Sequence, residues 1–332
     1  MRISVITVCF NAASVIEGCL ASVAEQTFAD VEHIVIDGGS SDETVATVKR
    51  YPHVAVLVSE PDQGIYDAMN KGLRHVTGNY VLFLNADDHF ASATALADAV
   101  RAIGRDPGAD VYYGSLEIRN THGEVSVFQP PLPDDAAEFM VCGCLPHQST
   151  LAAPTAFAKT GPFDLRYKRH ADYDWFLKVL ADPAIAVRRI DTLLGSFLHG
   201  GASSQLALGQ PEVHAIQDSA TLYASPAWDR RRIAILQDAL LSARIDTERL
   251  SANLREVDAL RDLLYGADRG RPFLSSLRLL SKALRLFVSG VLGLPRRVAR
   301  KLFRAACWVL SIVLPASTVE RLRGVYRGWR GR

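Results

Sequence analysis

The chain has 332 residues, 48% of them hydrophobic, which is enough for one large folded domain with an appendage. Its five cysteines are odd in number and form no Cys-x-x-Cys pair, so the composition argues against a disulfide framework and predicts reduced thiols. The formal net charge of +1 combines an acidic body with a strongly basic carboxyl-terminal segment. The amino terminus begins directly with an apolar strand pattern, so we expect no secretory leader.

Short apolar runs alternate with helical patterns from the amino terminus to residue 84. Residues 3–10 are rich in β-branched side chains and predict the first strand. Further strands are predicted at residues 33–36, 54–59 and 80–84, and helices at residues 14–24, 42–50 and 64–75. This alternation is typical of an α/β fold with a doubly wound, mostly parallel sheet covered by helices on both faces.

Polar residues directly follow each of these predicted strands. They are Asn11, residues 37–40, residues 60–62 and residues 85–88. In doubly wound sheets, ligands bind beyond the carboxyl ends of the strands. We therefore expect the functional site at this edge of the sheet.

The pattern changes beyond residue 111 to strands and loops, with a helix predicted at 173–181 and a strand at 186–190. After residue 201 the chain becomes mostly helical. Residues 228–265 lack Pro and Gly and repeat apolar or small residues at heptad spacing, namely Leu236, Leu240, Ala243, Thr247, Leu250, Leu254, Val257 and Leu264. This helix either packs on its own domain or pairs with a second copy in a homodimer.

The first acidic motif, Asp37-Gly38-Gly39-Ser40-Ser41-Asp42, lies where the second strand passes into a helix. Its glycines allow the backbone to approach a ligand closely, and the helix amino terminus offers N–H groups to a polar ligand. The same residues suit an ordinary turn followed by a helix cap, so the motif alone leaves both interpretations open.

The second motif, Asn85-Ala86-Asp87-Asp88, places two adjacent carboxylates after an apolar strand. Such carboxylates repel each other unless a cation bridges them to a ligand, and hard oxygen ligands favour Mg²⁺ or Mn²⁺. The alternative interpretation is a solvated acidic turn.

The third motif, His170-Ala171-Asp172-Tyr173-Asp174, begins a predicted helix. The helix dipole favours the charge of Asp172 at this position. On the local pattern alone, a simple capping role is the favoured interpretation.

In their order, these motifs resemble the family 2 glycosyltransferases with the GT-A fold, including members from bacterial polysaccharide assembly. The resemblance extends to about residue 205 and is carried by Thr7-Val8-Cys9-Phe10-Asn11, Ile36-Asp37-Gly38-Gly39-Ser40-Ser41-Asp42, Leu84-Asn85-Ala86-Asp87-Asp88 and Gly161-Pro162-Phe163-Asp164 with Ala171-Asp172-Tyr173-Asp174. Four motifs in one order are far more specific than any single motif. The resemblance implies a catalytic domain at residues 1–205, followed by a helical extension at 206–268 and a basic tail at 269–332.

The resemblance also implies roles for individual residues. Contacts with the nucleotide are assigned to Val8, Phe10, Asn11 and Asp37. Contacts with the ribose and the metal are assigned to Asp87 and Asp88. The general base is assigned to Asp172. The implied cofactor is a divalent cation, Mg²⁺ or Mn²⁺. The implied partner is a nucleotide-sugar donor.

Three positions depart from the family pattern. Many members carry Asp-Asp where this chain has Asp37-Gly38, and the second acid can accept a hydrogen bond from a uracil N–H, so UDP does not follow as the carrier. The usual Asp-x-Asp begins here with Asn85, which leaves the metal to Asp87 and Asp88. The usual Glu before the catalytic Asp is Ala171, so one polar contact to the acceptor is absent.

Other segments extend the implied site. Residues 60–72 resemble a variant of polysaccharide-assembly members, residues 144–149 resemble the segment beside the donor sugar, and residues 197–204 resemble a late loop that closes on the diphosphate. From these we predict donor contacts by Asp67, Lys71, His147 and Gln148, and a metal or phosphate contact by His199. For residues 60–72 the alternative is a helix cap with a solvated face, for His147 it is a core histidine, and for residues 197–204 it is a plain loop.

The basic tail contains fifteen Lys or Arg and one acid, Glu320, whereas the preceding residues contain 22 basic and 35 acidic side chains. Its periodicity predicts a basic amphipathic helix, and its apolar run at 305–314 is too short to span a bilayer. We expect attachment to the anionic cytoplasmic face of the inner membrane, with packing on a protein partner as the alternative. Aliphatic faces suit lipid better than nucleic acid.

The sequence therefore predicts a metal-dependent, inverting glycosyltransferase of cell-surface polysaccharide assembly, acting on a glycan acceptor that we expect to be lipid-linked. The alternative is a catalytically silent nucleotide-sugar-binding scaffold at the membrane. The joint presence of Asp37, Asp87, Asp88 and Asp172 favours the enzyme.

Overall fold

The computed structural model describes residues 1–120, 124–199 and 206–265, so the basic tail lies outside the described ranges. The strands, β1 to β9 in chain order, are Ile3–Cys9, Val31–Asp37, Val54–Ser59, Tyr80–Phe83, His89–Phe90, Val111–Asn120, Val125–Phe128, Thr150–Ala152 and Val187–His199. The helices, α1 to α9, are Ile16–Ala24, Thr44–Lys49, Ile65–Leu73, Ala95–Arg105, Pro133–Phe139, Pro154–Thr160, Ala171–Ala181, Leu206–Ser219 and Pro226–Tyr265.

One sheet contains these strands in the order β3-β2-β1-β4-β8-β6-β9-β5, with β7 paired to β6. The strands β1 to β4 are parallel, whereas β8 is antiparallel to both of its neighbours and β5 is antiparallel to β9. The predicted α/β fold with helices flanking a central sheet is confirmed. Its first half, β1 to β4, is parallel as predicted, but the second half adds the antiparallel neighbours of β8 and the antiparallel pairs β5–β9 and β6–β7, so the whole sheet is mixed.

Helices bury both faces of β1, which explains its continuous apolar sequence. On one face, Ile6 belongs to a buried cluster with Tyr66 and Met69 of α3. On the other face, Val5 belongs to a cluster with Leu96 of α4. The strand is buried along its whole length, so its side chains anchor the sheet and leave its carboxyl end to present the site.

The described part of the chain divides between Ala239 and Leu240 into two units. Helix α9 confirms the long helix predicted at 228–265. The heptad residues Leu236, Leu240 and Leu250 are 47%, 59% and 58% exposed, and pairing with a second copy remains a prediction. Within the described ranges, no helix has both the length and the apolar character needed to cross a membrane.

Helix α3 lies very close to the sheet at Gly72. A Cβ at this position would lie 2.6 Å from Ile6 Cγ2 and 3.4 Å from Ile36 Cγ1, both in the buried core. Because those isoleucines are packed inside the sheet, they cannot move aside without disturbing their own neighbours. The missing side chain therefore sets the distance between α3 and β1.

Replacing Gly72 by Ala should destabilise the protein by about 1–3 kcal/mol, because the added methyl group overpacks the contact with Ile6. Gly104 in α4 is the matched control, since a Cβ there meets nothing within 4 Å. Gly104→Ala should stabilise by roughly 0.5–1 kcal/mol through helix propensity. Thermal unfolding of the full chain measures both changes, and a Gly72→Ala protein as stable as the wild type would contradict this account.

Candidate active site

The ends of β1, β2 and β3 are joined by backbone hydrogen bonds at the carboxyl edge of the sheet. Gly38 N donates to Cys9 O at 2.9 Å, and Glu60 N donates to Asp37 O at 3.0 Å. Cys9 and Asp37 are also register partners in the parallel pair. The residues that follow these strands, Phe10, Gly38 and Glu60, are thereby placed side by side.

The Asp37 carboxylate is buried at this junction and accepts hydrogen bonds from protein groups on two loops. The donors are Gly39 N at 3.2 Å, Ser40 N at 3.0 Å, Ser59 Oγ at 2.6 Å and the Ser40 hydroxyl. Burial acts to raise the pKa of Asp37, but the bonds from Ser40, Ser59 and Gly39 outweigh it and hold the pKa below its ordinary value. The carboxylate is therefore a charged anchor for the loops after β2 and β3.

The loop after β1 is tied to the same junction by Asn11. Asn11 has a φ of 48°, its N–H donates to Ser40 Oγ at 2.8 Å, and its Oδ1 accepts from Ser41 N at 2.9 Å. The preceding Phe10 is 62% exposed, whereas Val8 is 5% exposed inside the sheet. Of the predicted nucleotide residues, Phe10 and Asn11 are thus presented at the edge, and Val8 supports it from the core.

The segment after β3 is held together by ion pairs around Lys71. Lys71 Nζ lies 2.9 Å from Glu60 Oε1 and 3.7 Å from Asp67 Oδ2, and it donates to Pro61 O at 2.8 Å. Asp67 also accepts from Gln63 N at 3.0 Å. The structure therefore pairs the predicted donor residues Asp67 and Lys71 with each other, and their contact with a donor remains a prediction.

The acidic turn after β4 contains a carboxylate that differs from Asp37. Asp88 is 1% exposed, and neither of its oxygens has a hydrogen-bond partner at normal geometry among the described residues. Burial raises the pKa of Asp88 to about 7 and the charge of Asp87 acts in the same direction, against weaker opposing effects of His147, the Leu198 backbone N–H and Gln148. An unpaired buried carboxylate is unfavourable unless another positive group binds there.

The residues around Asp88 fit a hard cation only in part. Asn85 Oδ1 is a second buried oxygen without a hydrogen-bond partner among the described residues, and Asp87 is adjacent to Asp88 in the sequence. However, the described residues contain no group of three or more His, Cys, Asp or Glu side chains close enough to hold a metal by themselves. This arrangement suits Mg²⁺ or Mn²⁺ held by one or two carboxylates together with the phosphates of a substrate.

A hydrogen-bonded array surrounds Asp172 at the first turn of α7. Tyr66 Oη donates to Asp172 Oδ1 at 2.6 Å, and His147 Nδ1 lies 2.9 Å from Asp172 Oδ2. Burial acts to raise the pKa of Asp172, but the hydrogen bonds and charge of His147 together with the Tyr66 bond hold it below its ordinary value. Asp172 is therefore charged near neutral pH, with its orientation set by two partners.

His147 connects Asp172 to the acidic turn. Its Nε2 lies 3.4 Å from Asn85 Nδ2, which fits a tautomer that donates from Nδ1 to Asp172 and accepts at Nε2. Burial acts to lower the pKa of His147, but the hydrogen bond and charge of Asp172, with the charges of Asp88 and Asp87, raise it above its ordinary value. The structure thus brings together three of the predicted segments, at residues 85–88, 147–148 and 172.

Two further residues of this region were not predicted from the sequence. Tyr66 lies in the segment 60–72, but the sequence around it does not predict that its hydroxyl contacts Asp172, which is 106 positions away. Arg119 Nη2 donates to Asp87 O at 3.3 Å and its Nε to Ser196 Oγ at 2.7 Å, which braces the acidic turn. His199 ends β9, and its side chain lies outside the described residues, so its predicted contact is untested.

The chain matches the family model described as "Glycosyl transferase family 2" over residues 4–130. It is 33% identical over 205 residues to a PGL/p-HBAD biosynthesis glycosyltransferase of Mycobacterium bovis, covering 60% of this chain and 78% of the relative. It is 34% identical over 180 residues to an uncharacterized glycosyltransferase of Mycobacterium tuberculosis, covering 53% of this chain and 68% of the relative.

Two solved structures share the fold. Staphylococcus aureus TarS 1-349 in complex with UDP has a TM-score of 0.55 at 18% identity, covering 75% of each chain. The mannosyltransferase PcManGT from Pyrobaculum calidifontis, in complex with GDP-Man and Mn²⁺, has a TM-score of 0.52 at 20% identity, covering 76% of this chain and 80% of that one.

The fold and these relatives define a glycosyltransferase with the GT-A fold. The chain belongs to glycosyl transferase family 2. The predicted family and enzyme class are confirmed, and the chain transfers a sugar.

The unpaired Asp88 generates a prediction about stability. Because its pKa is near 7 in the native state and about 4 in the unfolded chain, its stabilising contribution is present below pH 4 and lost as the pH rises through 7. In EDTA, Asp88→Asn should therefore be more stable than the wild type at pH 8 by about 2–4 kcal/mol, with little difference at pH 4. Thermal unfolding across this range measures it, and parallel pH profiles for the two proteins would contradict it.

Proposed function

We propose that the chain transfers a sugar from a nucleotide-sugar donor to a hydroxyl of a glycan acceptor, with inversion at the anomeric carbon. The observation that carries this proposal is the Asp172 carboxylate, which is charged and oriented by Tyr66 and His147. His147 also contacts Asn85, whose backbone carbonyl accepts from Asp88 N in the acidic turn. A base and a cation site in one connected array are what a displacement from a nucleoside diphosphate needs.

In this mechanism, Asp172 accepts the proton of the acceptor hydroxyl as that oxygen attacks the anomeric carbon from the side opposite the nucleotide. Each oxygen of Asp172 already accepts one hydrogen bond, but a carboxylate oxygen has lone pairs for a second. Tyr66 and His147 fix the direction of those lone pairs. A single displacement of this kind inverts the configuration at the anomeric carbon.

Asp88, with help from Asp87, would hold a divalent cation beside the departing diphosphate. A bound Mg²⁺ or Mn²⁺ supplies positive charge against the negative charge that develops there. The Mn²⁺ in the PcManGT complex and the UDP in the TarS complex support this choice of donor and cation. In the Asp88→Asn protein described above, Mn²⁺ with a nucleoside diphosphate should no longer raise the unfolding temperature.

Replacement of Asp172 by Asn should reduce sugar transfer by about 10²- to 10⁴-fold, because the amide cannot take the acceptor proton. Donor binding should stay within about twofold, since the proposed contacts of the donor lie elsewhere. An assay of sugar transfer or donor hydrolysis measures turnover, and calorimetry measures donor binding, both in the presence of Mn²⁺. The donor is chosen by a thermal-shift screen of nucleoside diphosphates and their sugars.

The matched control is Asp174→Asn. Asp174 lies on the same helical turn, is 9% exposed like Asp172, and pairs with Lys178 at 2.6 Å. This variant should keep its activity. Normal transfer by Asp172→Asn would exclude Asp172 as the base, and binding without any transfer or hydrolysis by the wild type would instead support the silent scaffold.

We further propose that the acceptor is lipid-linked, that the pathway is cell-surface polysaccharide assembly, and that the basic tail at 269–332 attaches the chain to the cytoplasmic face of the inner membrane. The excess of fifteen basic residues over one acid supports attraction to anionic lipid. The alternative role of the tail, packing on a protein partner, does not need such an excess.

A chain that ends at Arg269 should lose binding to vesicles of anionic lipid, because the deletion removes fourteen of the fifteen basic side chains of the tail. Co-sedimentation measures the bound fraction. The full chain with vesicles of neutral lipid is the control and should bind weakly. Unchanged sedimentation of the truncated chain with anionic vesicles would refute the proposal.

A further inference from the structure

The Asp62 carboxylate occupies the space that a side chain at residue 38 would need. A Cβ on Gly38 would lie 2.3 Å from Asp62 Oδ2 and 3.0 Å from Asp62 Cγ. Gly38 is not among the glycines with positive φ, so its backbone conformation does not require glycine. The absence of a side chain at residue 38 therefore leaves room for the Asp62 carboxylate.

The backbone around Asp62 holds it in this position. Asp62 Oδ1 accepts from Gly64 N at 2.8 Å, and Gly64 has a φ of 123° that favours glycine. Pro61 lies close above Gly39, since a Cβ on Gly39 would be 3.3 Å from Pro61 N. The loops after β2 and β3 are thus packed together, and the carboxylate is placed by both.

The second oxygen of Asp62 is available to a ligand. Oδ2 accepts no hydrogen bond from the described residues, and the neighbouring Lys71 is engaged by Glu60, Asp67 and the Pro61 carbonyl. Phe10 is 62% exposed and follows Cys9, the register partner of Asp37, so it lies beside Gly38 at the same edge. A flat apolar ring and a fixed hydrogen-bond acceptor are therefore both placed beside Gly38, at one edge of the sheet.

We propose that Asp62 is a specificity-determining residue that accepts a hydrogen bond from the imino N–H of the donor's base, while Phe10 packs against the base. This inference rests on the proposed use of a nucleotide-sugar donor. Uracil and guanine carry such an N–H in the ring, whereas cytosine and adenine carry a lone pair at the corresponding nitrogen and would be repelled by a carboxylate. Asp62 thus selects UDP or GDP over CDP and ADP.

The test is calorimetry of the full chain with UDP, GDP, CDP and ADP in the presence of Mn²⁺. The wild type should bind UDP or GDP at least about tenfold more tightly than CDP and ADP. Asp62→Ala should weaken the preferred diphosphate by about 10- to 100-fold and remove most of the preference. Asp62→Asn, which keeps the volume and adds an N–H donor, should shift the preference toward CDP or ADP.

Two further variants separate this role from a general effect of charge or folding. Gly38→Ala should reproduce the loss, because its methyl group displaces the carboxylate, and it should cost nothing more when added to Asp62→Ala. Glu43→Gln is the control, since Glu43 is an exposed acid on the same edge with no side-chain cap bond, and it should bind as the wild type does. Thermal unfolding confirms that each variant is folded.

Three results would overturn the inference. The first is an Asp62→Ala protein that keeps the affinity and the preference of the wild type. The second is a wild type that binds all four diphosphates equally. Either result leaves the proposed function intact, because the diphosphate still binds. If the wild type binds none of the four and also fails to bind dTDP, whose thymine carries the same ring N–H as uracil, the proposed nucleotide-sugar donor and the role of Asp62 are both wrong.

Discussion

The hydrogen bonds of the buried Asp37 carboxylate are the interaction on which the carboxyl edge of the sheet depends. It receives hydrogen bonds from the loop that follows its own strand and from Ser59 at the end of the neighbouring strand. A charged group buried at this depth is tolerated only with several donors, and those donors define the paths of both loops. Asn11 joins the loop after β1 to the same turn. The edge is thus preorganised by internal bonds before any ligand binds.

The three buried carboxylates of the site differ in their hydrogen-bond partners. Asp37 and Asp172 are supplied with donors that keep their pKa values low, whereas no described residue forms a hydrogen bond of normal geometry with Asp88, and burial raises its pKa to about 7. The first two are positioned as permanent charges, and the third lacks a positive partner. A site that leaves one carboxylate unpaired gives up stability for a place where a ligand or cation supplies the missing charge.

Much of the fold could be predicted because β1 to β4 are covered on both faces and read as continuous apolar runs with polar residues at their ends. The position of β8 between β4 and β6 could not, since a three-residue strand carries too little pattern to choose a neighbour. The acidic turn and Asp172 were proposed as site residues from the order of motifs along the chain. The contact of Tyr66 with Asp172 and the position of Asp62 beside Gly38 could not be predicted, because these partners are distant in sequence and no local periodicity encodes such contacts.

The segment from Glu60 to Gly72 links the two halves of the site. Its first residues follow β3 and pack against Gly38 and Gly39 of the loop after β2. Tyr66 reaches Asp172, and Asn70 exchanges two hydrogen bonds with the backbone of Phe163, at 2.8 and 2.9 Å. The close packing at Gly72 fixes the helix on the sheet, so none of these contacts can shift alone. A displacement of this one short helix would change the carboxyl edge of the sheet and the orientation of Asp172 together. The proposed base contact at Asp62 and the proposed proton acceptor Asp172 therefore both depend on the position of this segment.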